Sequence, residues 1–261
     1  MSRPSLVIVL EQLGLGAALR GIQSVLNRLG YQVLQYPAPH SYERHIRELL
    51  LGLDVNCVID VGAHKGEFYR LLRQTGYSGT IVSFEPLPDS FVQLRREAAG
   101  DQNWRGYNLA LGTETGLKSI NVPHSTGFTS FLRPNTYCEE RFPHVRWEGR
   151  TVDVRIERLE TLYPEVVNGI ARPRVFLKMD TQGWDIRVLE GAGAVLPDVV
   201  MLQSEVSMIP IYDGMSSIIE AIAHYNALGF EVTNLFPVTF DGEGIRVVEY
   251  DCVMRRRMAR N

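Results

Sequence analysis

The chain has 261 residues, 27 basic and 30 acidic side chains, and a net charge of −3. Hydrophobic residues make up 45% of the chain, which excludes an intrinsically disordered protein, and the near-balance of charge gives no reason to expect a nucleic-acid partner. No run approaches the ~20 apolar residues that a membrane-spanning helix needs, so no membrane association is expected. The three cysteines form no CxxC pair, which indicates a reduced, cytoplasmic setting.

The first fifty residues are predicted to be helical. Apolar residues that recur every three or four positions predict a first helix carrying Leu15, Leu19, Ile22, Leu26 and Leu29. A second helix is predicted to carry Ile46, Leu49 and Leu50 and to end near Gly52. We therefore expect an N-terminal helical extension over residues 1–52 and a separate domain over residues 53–261.

From residue 55 onward the pattern predicts alternating strands and helices. Short, apolar, β-branched runs predict strands at residues 55–61, 80–84, 107–111, 175–179, 199–202, 230–235 and 246–254. This alternation indicates an α/β fold with a mainly parallel sheet and helices on both faces. The last two strands have no helix between them and are expected to pair antiparallel.

Residues 113–174 interrupt this alternation. The stretch is long and polar, contains five prolines, and shows no clear periodicity. Because such a long irregular connection is uncommon unless it is functional, we interpret it as an insertion that shapes a substrate pocket.

The turn after the first strand, VIDVGAHKG over residues 58–66, is the most informative segment. Gly62 and Gly66 allow positive φ and close approach of a ligand, at the edge of the sheet where α/β proteins bind ligands. The dinucleotide pattern G-x-G-x-x-G fails because position 64 is His. The P-loop pattern fails because Glu67 follows Gly66.

Two carboxylates near this turn indicate the kind of ligand. Asp60 precedes the turn, and Glu85 closes the next strand, where a carboxylate can accept both hydroxyls of a ribose. A nucleoside whose tail carries positive charge and no phosphate suits two acidic groups, and S-adenosylmethionine has this composition. The alternative is a purely structural Asp-Gly turn with Glu85 facing solvent.

Several segments then resemble a known family. They are DVGAHKG (60–66), SFEPLPDSF (83–91), NLALG (108–112), VRIERLETL (154–162), FLKMDTQGWDIRVLEGA (176–192), SEV and PIYDG within 204–214, and GFEV (229–232). In this order they resemble the FkbM family of S-adenosylmethionine-dependent methyltransferases. The resemblance implies a class I methyltransferase fold, a Rossmann-like seven-stranded sheet with one antiparallel strand. It also implies O-methylation of hydroxyls on sugars or natural-product scaffolds.

The resemblance also implies the cofactor site. By position, the cofactor would contact Asp60, Gly62, Ala63, His64, Gly66, Glu85, Pro86, Asn108, Ala110 and Leu111. Within this set Glu85 would hold the ribose, and Asn108 to Leu111 would lie near the adenine. His64 departs from the family pattern, which usually has Asn there. His64 could donate to the cofactor carboxylate or be an adaptation to the substrate.

An aliphatic hydroxyl is a poor nucleophile unless a base or a metal assists it. Asp180 ends the fourth predicted strand and Glu205 the fifth. Neighbouring strands lie ~4.8 Å apart, so the two carboxylates could share a proton, with one as the base, or hold Mg²⁺. In the structural alternative, Asp180 caps the next helix and Glu205 pairs with an arginine. His64 is a further catalytic candidate, and His124 and His144 are alternative bases.

The acceptor is expected to contact hydroxyl, amide and aromatic side chains. Hydroxyl, amide and aromatic side chains in the family-like segments and in the 113–174 stretch are the candidates Thr129, Ser130, Gln182, Trp184 and Tyr212. The aromatic members could form the floor of a sugar or polyketide pocket.

The leading hypothesis is therefore a small-molecule O-methyltransferase. An NAD-linked oxidoreductase is disfavoured by the missing glycine, and a non-catalytic partner subunit is disfavoured by intact Asp60, Glu85 and Asp180. The expected partner is a small molecule with a hydroxyl group. The sequence does not define the oligomeric state and is compatible with a homo-oligomer.

Overall fold

The computed structural model describes residues 41–145, 147–241 and 244–257. The chain divides into two units, residues 1–48 and 49–261. Helix α1 (Tyr42–Gly52) confirms the second predicted helix and its end at Gly52. The first predicted helix lies outside the described residues.

The remaining elements alternate along the chain. The strands are β1 (Cys57–Val61), β2 (Thr80–Phe84), β3 (Trp104–Tyr107), β4 (Ala110–Leu111), β5 (Gly116–Asn121), β6 (Thr151–Glu157), β7 (Val175–Met179), β8 (Val199–Ser207), β9 (Phe230–Phe240) and β10 (Val247–Arg256). The helices are α2 (Glu67–Gln74), α3 (Pro88–Glu97), α4 (Thr136–Arg141), α5 (Leu159–Val166), α6 (Asp185–Gly191) and α7 (Ile218–Ala227). Short 3₁₀ turns lie at Thr126–Phe128 and Gly193–Asp198.

Seven strands form the main sheet in the order β3-β2-β1-β7-β8-β10-β9. The first five pair in parallel, and β10 runs antiparallel to both of its neighbours. The central strands β1 and β7 are buried along their whole length, as strands of a sheet covered on both faces should be, although each carries one charged residue, Asp60 in β1 and Lys178 in β7. The predicted fold class is confirmed: a mostly parallel sheet of the class I methyltransferase type with a C-terminal antiparallel strand.

The third strand was predicted over residues 107–111, and these bounds are wrong. Strand β3 ends at Tyr107, and the following residues turn out of the main sheet. The side-chain amide of Asn108 donates to the carbonyl oxygens of Glu85 and Pro86, at 2.9 and 3.0 Å, which fixes the turn. Strand β4 then belongs to a second, three-stranded sheet in the order β4-β6-β5.

The stretch 113–174 was expected to be irregular, but it contains regular elements. Strands β5 and β6 pair antiparallel along most of their length, and α5 leads into β7. Alternate residues of β6, Val154 and Ile156, are buried in a small core with Ile120 of β5. The second sheet therefore has its own apolar face.

Two glycines of the family-like segments are required by close approach of two backbones. A Cβ on Gly62, whose φ is +77°, would lie 1.9 Å from the carbonyl oxygen of Asp180. A Cβ on Gly191 would lie 1.9 Å from the carbonyl oxygen of Gly112. The absence of a side chain at Gly62 lets the ends of β1 and β7 lie close together. The absence of a side chain at Gly191 lets α6 pack against the residue that follows β4.

Candidate active site

The glycine turn after β1 uses its own amide groups for internal hydrogen bonds. The backbone N–H groups of residues 62–66 donate, in chain order, to Phe84 O, Phe84 O, Glu85 Oε2, Glu67 Oε2 and Ala63 O. A phosphate at such a turn is held by N–H groups that have no protein partner. The turn therefore offers no phosphate cradle of its own, which disfavours a dinucleotide.

Glu85 lies directly after β2, beside this turn. Its Oε2 accepts from His64 N and its Oε1 from Leu87 N, each at 2.9 Å. The side chain is buried, and this burial raises the pKa of Glu85 to about 7. An ionised carboxylate has about four acceptor positions, so about two remain for other donors. This arrangement fits the predicted contact with two ribose hydroxyls.

The other predicted cofactor contacts divide into two groups. The amide of Asn108 holds the carbonyl oxygens of Glu85 and Pro86, so these three residues lie together. Ala110 and Leu111 instead are buried within β4, and Leu111 belongs to the main hydrophobic core. The structure therefore places Asn108 beside Glu85 and encloses the side chains of Ala110 and Leu111 in apolar packing.

Asp60 is fully buried in β1, below the glycine turn. Its Oδ1 lies 3.2 Å from Nζ of Lys178, which stands opposite it on β7. Apart from this ion pair, neither carboxylate oxygen has a hydrogen-bond partner in the described part of the chain. Burial raises the pKa of Asp60, and the Lys178 ammonium opposes that rise. Lys178 was not predicted as a site residue, although a lysine inside an apolar strand was a visible signal.

Lys178 also contacts Asp180. Its Nζ lies 3.2 Å from Asp180 Oδ2. The Lys178 side chain is 6% exposed, whereas the Asp180 side chain is 38% exposed and reaches the surface beside the turn. Asp180 does not cap the next helix, since α6 begins after Trp184. The structural alternative, in which Asp180 caps the next helix, is therefore wrong.

Glu205 lies near the end of β8 and is buried. Gln182 Nε2 donates to Glu205 Oε2 at 2.6 Å and lies 3.5 Å from Asp180 Oδ1. The two predicted catalytic carboxylates are thus brought together through an amide. Burial, and then repulsion from Glu249, raise the pKa of Glu205 well above its usual value. Among the described residues no arginine pairs with Glu205, so that alternative is not seen.

Gln182 is the centre of the predicted acceptor residues. The Tyr212 hydroxyl lies 2.8 Å from Gln182 Oε1 and 3.1 Å from the carbonyl oxygen of Phe128, and it can donate to either. Ser130 is fully buried, and its hydroxyl donates to the Gln182 carbonyl at 2.7 Å. That bond supports Gln182 in a left-handed conformation with φ +54°. Ser130 therefore positions Gln182 and does not itself reach a pocket.

The remaining two acceptor candidates differ in their surroundings. The Thr129 hydroxyl is buried, and within the described ranges it has no hydrogen-bond partner. A buried hydroxyl without a partner is uncommon and is one that a ligand could satisfy. Trp184 packs against Phe131, with ring centroids 5.1 Å apart, and its indole nitrogen faces Gly112. Trp184 therefore joins the main sheet to the second sheet.

His64 links the glycine turn to the 113–174 stretch. Its Nε2 lies 2.9 Å from Thr126 Oγ1, and its Nδ1 lies 3.4 Å from Glu67 Oε1. Thr126 begins the 3₁₀ turn that precedes Thr129. His64 thus connects the predicted cofactor loop with the loop that carries acceptor candidates. His144, an alternative base in the sequence, is exposed.

The described residues do not supply an evident metal centre. No group of three or more His, Cys, Asp or Glu side chains in residues 41–145, 147–241 and 244–257 is arranged to hold a metal ion. Asp180 is paired with Lys178, and Glu205 is bound by Gln182. The Mg²⁺ considered from the sequence gains no support from this arrangement.

The sequence was also compared with known families. A family model described as the methyltransferase FkbM domain matches residues 60–232, a range that includes the glycine turn, Glu85, Lys178, Asp180 and Glu205. This chain belongs to the FkbM methyltransferase family. It is therefore an S-adenosylmethionine-dependent methyltransferase, as the resemblance implied, and the oxidoreductase alternative is set aside.

Similar solved structures are methyltransferase-like but distant. An rRNA methylase from Streptococcus thermophilus has 12% identity and a TM-score of 0.44, with 85% of this chain and 100% of that chain covered. SMU.1697c from Streptococcus mutans, solved in complex with SAH, has 10% identity and a TM-score of 0.41, with 82% and 97% covered. A search of curated proteins found no match. Neither structure identifies an acceptor for this FkbM protein.

Two expectations about partners and location stay predictions. The expected absence of a nucleic-acid partner is not tested by the family match. Over the described residues, no helix is both long and apolar enough to cross a membrane. The cytoplasmic location inferred from the cysteines is not tested by these observations.

The site suits S-adenosylmethionine as the methyl donor. The backbone N–H groups of the glycine turn already donate to oxygens of the protein, so the turn does not suit a phosphate. S-adenosylmethionine contains no phosphate. Glu85 keeps acceptor capacity for the two ribose hydroxyls. Of the two nearby carboxylates, Asp180 is 38% exposed and is compatible with the donor's positive charge. Asp60, predicted as a cofactor contact, is fully buried and paired with Lys178.

Proposed function

We propose that this FkbM protein methylates a hydroxyl group of a small molecule, a sugar or natural-product scaffold, with Asp180 as the general base. The observation that carries the proposal is the position of Asp180. Its carbonyl oxygen lies directly beside Gly62 of the glycine turn. Its carboxylate is paired with the buried ammonium of Lys178 and is itself accessible. A carboxylate beside the donor's loop is in the right region to take a proton from an acceptor.

A base is needed because an aliphatic hydroxyl is a weak nucleophile. When bound, S-adenosylmethionine supplies an electrophilic methyl group. Glu85 holds the ribose, so that the donor is fixed relative to the end of β7. Asp180 accepts the hydroxyl proton of the acceptor. Correct placement of two reactants contributes up to about 7–11 kcal/mol to such a reaction, so orientation by the protein is the main contribution.

Polar groups on the acceptor side support a hydroxylated substrate. The Gln182 amide lies between Glu205 and Asp180, and the Tyr212 hydroxyl orients that amide. The unpartnered Thr129 hydroxyl adds a donor and an acceptor. Such groups can bind several hydroxyls at once, as a sugar ring requires. Within this group, the Gln182 amide lies 3.5 Å from Asp180 Oδ1, and this contact supports a polyhydroxylated acceptor beside the proposed base.

The proposal is tested with the full chain and two measurements. Calorimetry should show binding of S-adenosylhomocysteine. Methyl-labelled donor is then incubated with a panel of sugars, glycosides and polyketides, with rRNA and amines as competing acceptors. We expect label in a hydroxyl of a small molecule, and Asp180→Asn should lose about 10²-fold or more in rate. Label found only in RNA or amines, or full activity of Asp180→Asn, would contradict the proposal.

A further inference from the structure

We propose that Lys178 is a positioning residue for methyl transfer, which holds the carboxylate of Asp180 in place and supplies its counter-charge. This inference rests on the proposed role of Asp180 as the base. Lys178 acts through Asp180 and does not itself contact the acceptor.

The first support is the geometry of the ion pairs. Lys178 Nζ lies 3.2 Å from Asp60 Oδ1 and 3.2 Å from Asp180 Oδ2, so one ammonium joins two carboxylates. Asp60 is fully buried, Lys178 is nearly so, and Asp180 is the exposed member. The three residues form a chain that runs from the interior of the sheet to the site. Asp60 fixes the ammonium, and the ammonium fixes Asp180.

The second support is the position of Lys178 in the sheet. It lies on β7 opposite Asp60 of β1 and Gln203 of β8, in the fully buried centre of the parallel sheet. A strand at this place is expected to be apolar throughout, and burying an ammonium is costly unless it is paired. Pairing with Asp60 serves the fold, because an apolar residue at position 178 would leave that buried carboxylate without a counter-charge. The second ion pair, between Lys178 and the accessible carboxylate of Asp180, connects this buried cation to the candidate site.

The third support is the choice of residue. The chain has 24 arginines and only three lysines, Lys65, Lys118 and Lys178. Arginine carries a planar fork that suits one carboxylate in a bidentate pair, whereas an ammonium is a compact point charge that can serve two partners. The position between Asp60 and Asp180 requires a compact ammonium, because one cation must pair with both carboxylates. Lysine at position 178 is therefore matched to a bridging role.

Several acidic groups surround this ammonium. Asp60 and Asp180 pair with it directly, and its charge also acts on Glu85 after β2 and on Asp251 of β10. Each of these carboxylates disfavours a negative charge on its neighbours. Without Lys178, the repulsion on Asp180 would be uncompensated. The Lys178 ammonium therefore offsets the negative charge that these carboxylates place around Asp180.

The test compares Lys178→Met with Asp180→Asn and with the double variant. We expect Lys178→Met to lower kcat about 10²-fold, with the KM for the donor and the affinity for S-adenosylhomocysteine changed less than about threefold. In the Asp180→Asn background, the same change should have no further effect on kcat. A purely structural lysine would lower the rate again in that background, because independent effects add in free energy.

A second variant protects the test against misfolding. Lys178→Met leaves Asp60 buried without a counter-charge, so Asp60→Asn is combined with it to make the interior neutral. This pair should unfold at a temperature close to that of the wild type and should still show the loss in kcat. Arg187→Met, which removes an exposed ion pair on α6, is the control and should keep full activity.

The outcomes separate the two proposals. If Lys178→Met, or its combination with Asp60→Asn, folds and keeps wild-type kcat, the positioning role is overturned while the proposed function stands. The positioning role is likewise overturned if the losses of Lys178→Met and Asp180→Asn multiply in the double variant. If the wild-type protein binds no S-adenosylhomocysteine and labels no hydroxyl acceptor, the proposed function itself is overturned.

Discussion

The backbone N–H of His64 donates to Glu85 Oε2 at 2.9 Å. This bond joins the turn after β1 to the end of β2, and the imidazole of the same residue reaches Thr126 in the 113–174 stretch. The glycine turn is therefore organised by Glu85 from one side and by a loop of the inserted stretch from the other. The predicted donor and acceptor sites are therefore linked through His64.

Replacement of Glu85 should weaken donor binding. We expect Glu85→Ala to raise the Kd for S-adenosylhomocysteine about 10- to 100-fold, because a hydrogen bond to a charged group contributes about 1.5–3 kcal/mol. Isothermal titration calorimetry measures this directly. Glu190→Ala, at an exposed ion pair on α6, is the control. Unchanged affinity in Glu85→Ala would remove the ribose assignment.

Donor affinity should depend on pH near neutrality. Burial raises the pKa of Glu85 to about 7, so its carboxyl loses its proton as the pH rises through that value. The ionised form accepts ribose hydroxyls more strongly, and the Kd for S-adenosylhomocysteine should therefore fall between about pH 6 and about pH 8. Glu85→Gln should flatten this dependence. A wild-type Kd that rises over the same interval would contradict the assignment.

Stability should fall as the pH rises. Burial raises the pKa of Glu249 to about 7 and that of Asp251 to about 6, above the values of 4.5 and 3.8 for exposed groups. In that interval the folded state holds more protons than the unfolded state, so the free energy of unfolding decreases with increasing pH. Thermal unfolding should give a higher midpoint at about pH 5 than at about pH 8.

The variant Glu249→Gln separates the contribution of Glu249 to the pH dependence of stability from that of Asp251. The amide can still accept from Ser207, whose hydroxyl lies 3.0 Å from Glu249 Oε1. We expect the variant to be more stable than the wild type at about pH 8, where the buried charge is removed, and similar to it at about pH 5. The opposite order at the two pH values would show that Glu249 is not a costly buried acid.

The Tyr212 hydroxyl should affect the acceptor and not the donor. Tyr212→Phe removes the group that lies 2.8 Å from Gln182 Oε1. A hydrogen bond of this kind contributes about 0.5–1.5 kcal/mol, so the KM for the acceptor should rise about two- to tenfold at constant affinity for S-adenosylhomocysteine. Tyr163→Phe, which removes a hydroxyl bound to Asp198, is the matched control. Equal effects of both changes would speak against a local role.

Gly62 should not tolerate a side chain. A Cβ there would meet the carbonyl oxygen of Asp180 at 1.9 Å, and its φ of +77° is unfavourable for other residues. We expect Gly62→Ala to lower the unfolding temperature strongly and to abolish donor binding. Gly52→Ala, where no atom lies within 4 Å of the added carbon, should unfold like the wild type. A stable, donor-binding Gly62→Ala protein would show that this contact is dispensable.

The main sheet could be predicted because its signals are local. Strands β1, β2 and β7 are short and mainly apolar, and each is followed by a polar turn and a helix in the sequence and in the structure. The second sheet could not be predicted in this way. Strand β4 has two residues, and it pairs with β6, where Ala110 faces Ile156 far along the chain. Such a pairing leaves no periodic signal in a short segment.

The site was predictable in part for the same reason. Asp180 and Glu205 follow from their places at the ends of strands, and Glu85 from its distance to the glycine turn. The role of Lys178 depends on Asp60, which is its partner on the neighbouring strand. That Ser130 holds Gln182 depends likewise on a bond between distant segments. Contacts set by strand register require the folded arrangement.

The second sheet has a consequence for how such an enzyme can diversify. Strand β5, the Thr126 loop, α4 and β6 all come from one uninterrupted length of chain between β3 and β7. Lengthening or shortening that excursion leaves every pairing of the seven-stranded sheet intact. On the prediction that this stretch shapes the acceptor pocket, related proteins can change the acceptor through its length and sequence while the seven-stranded sheet keeps its pairings.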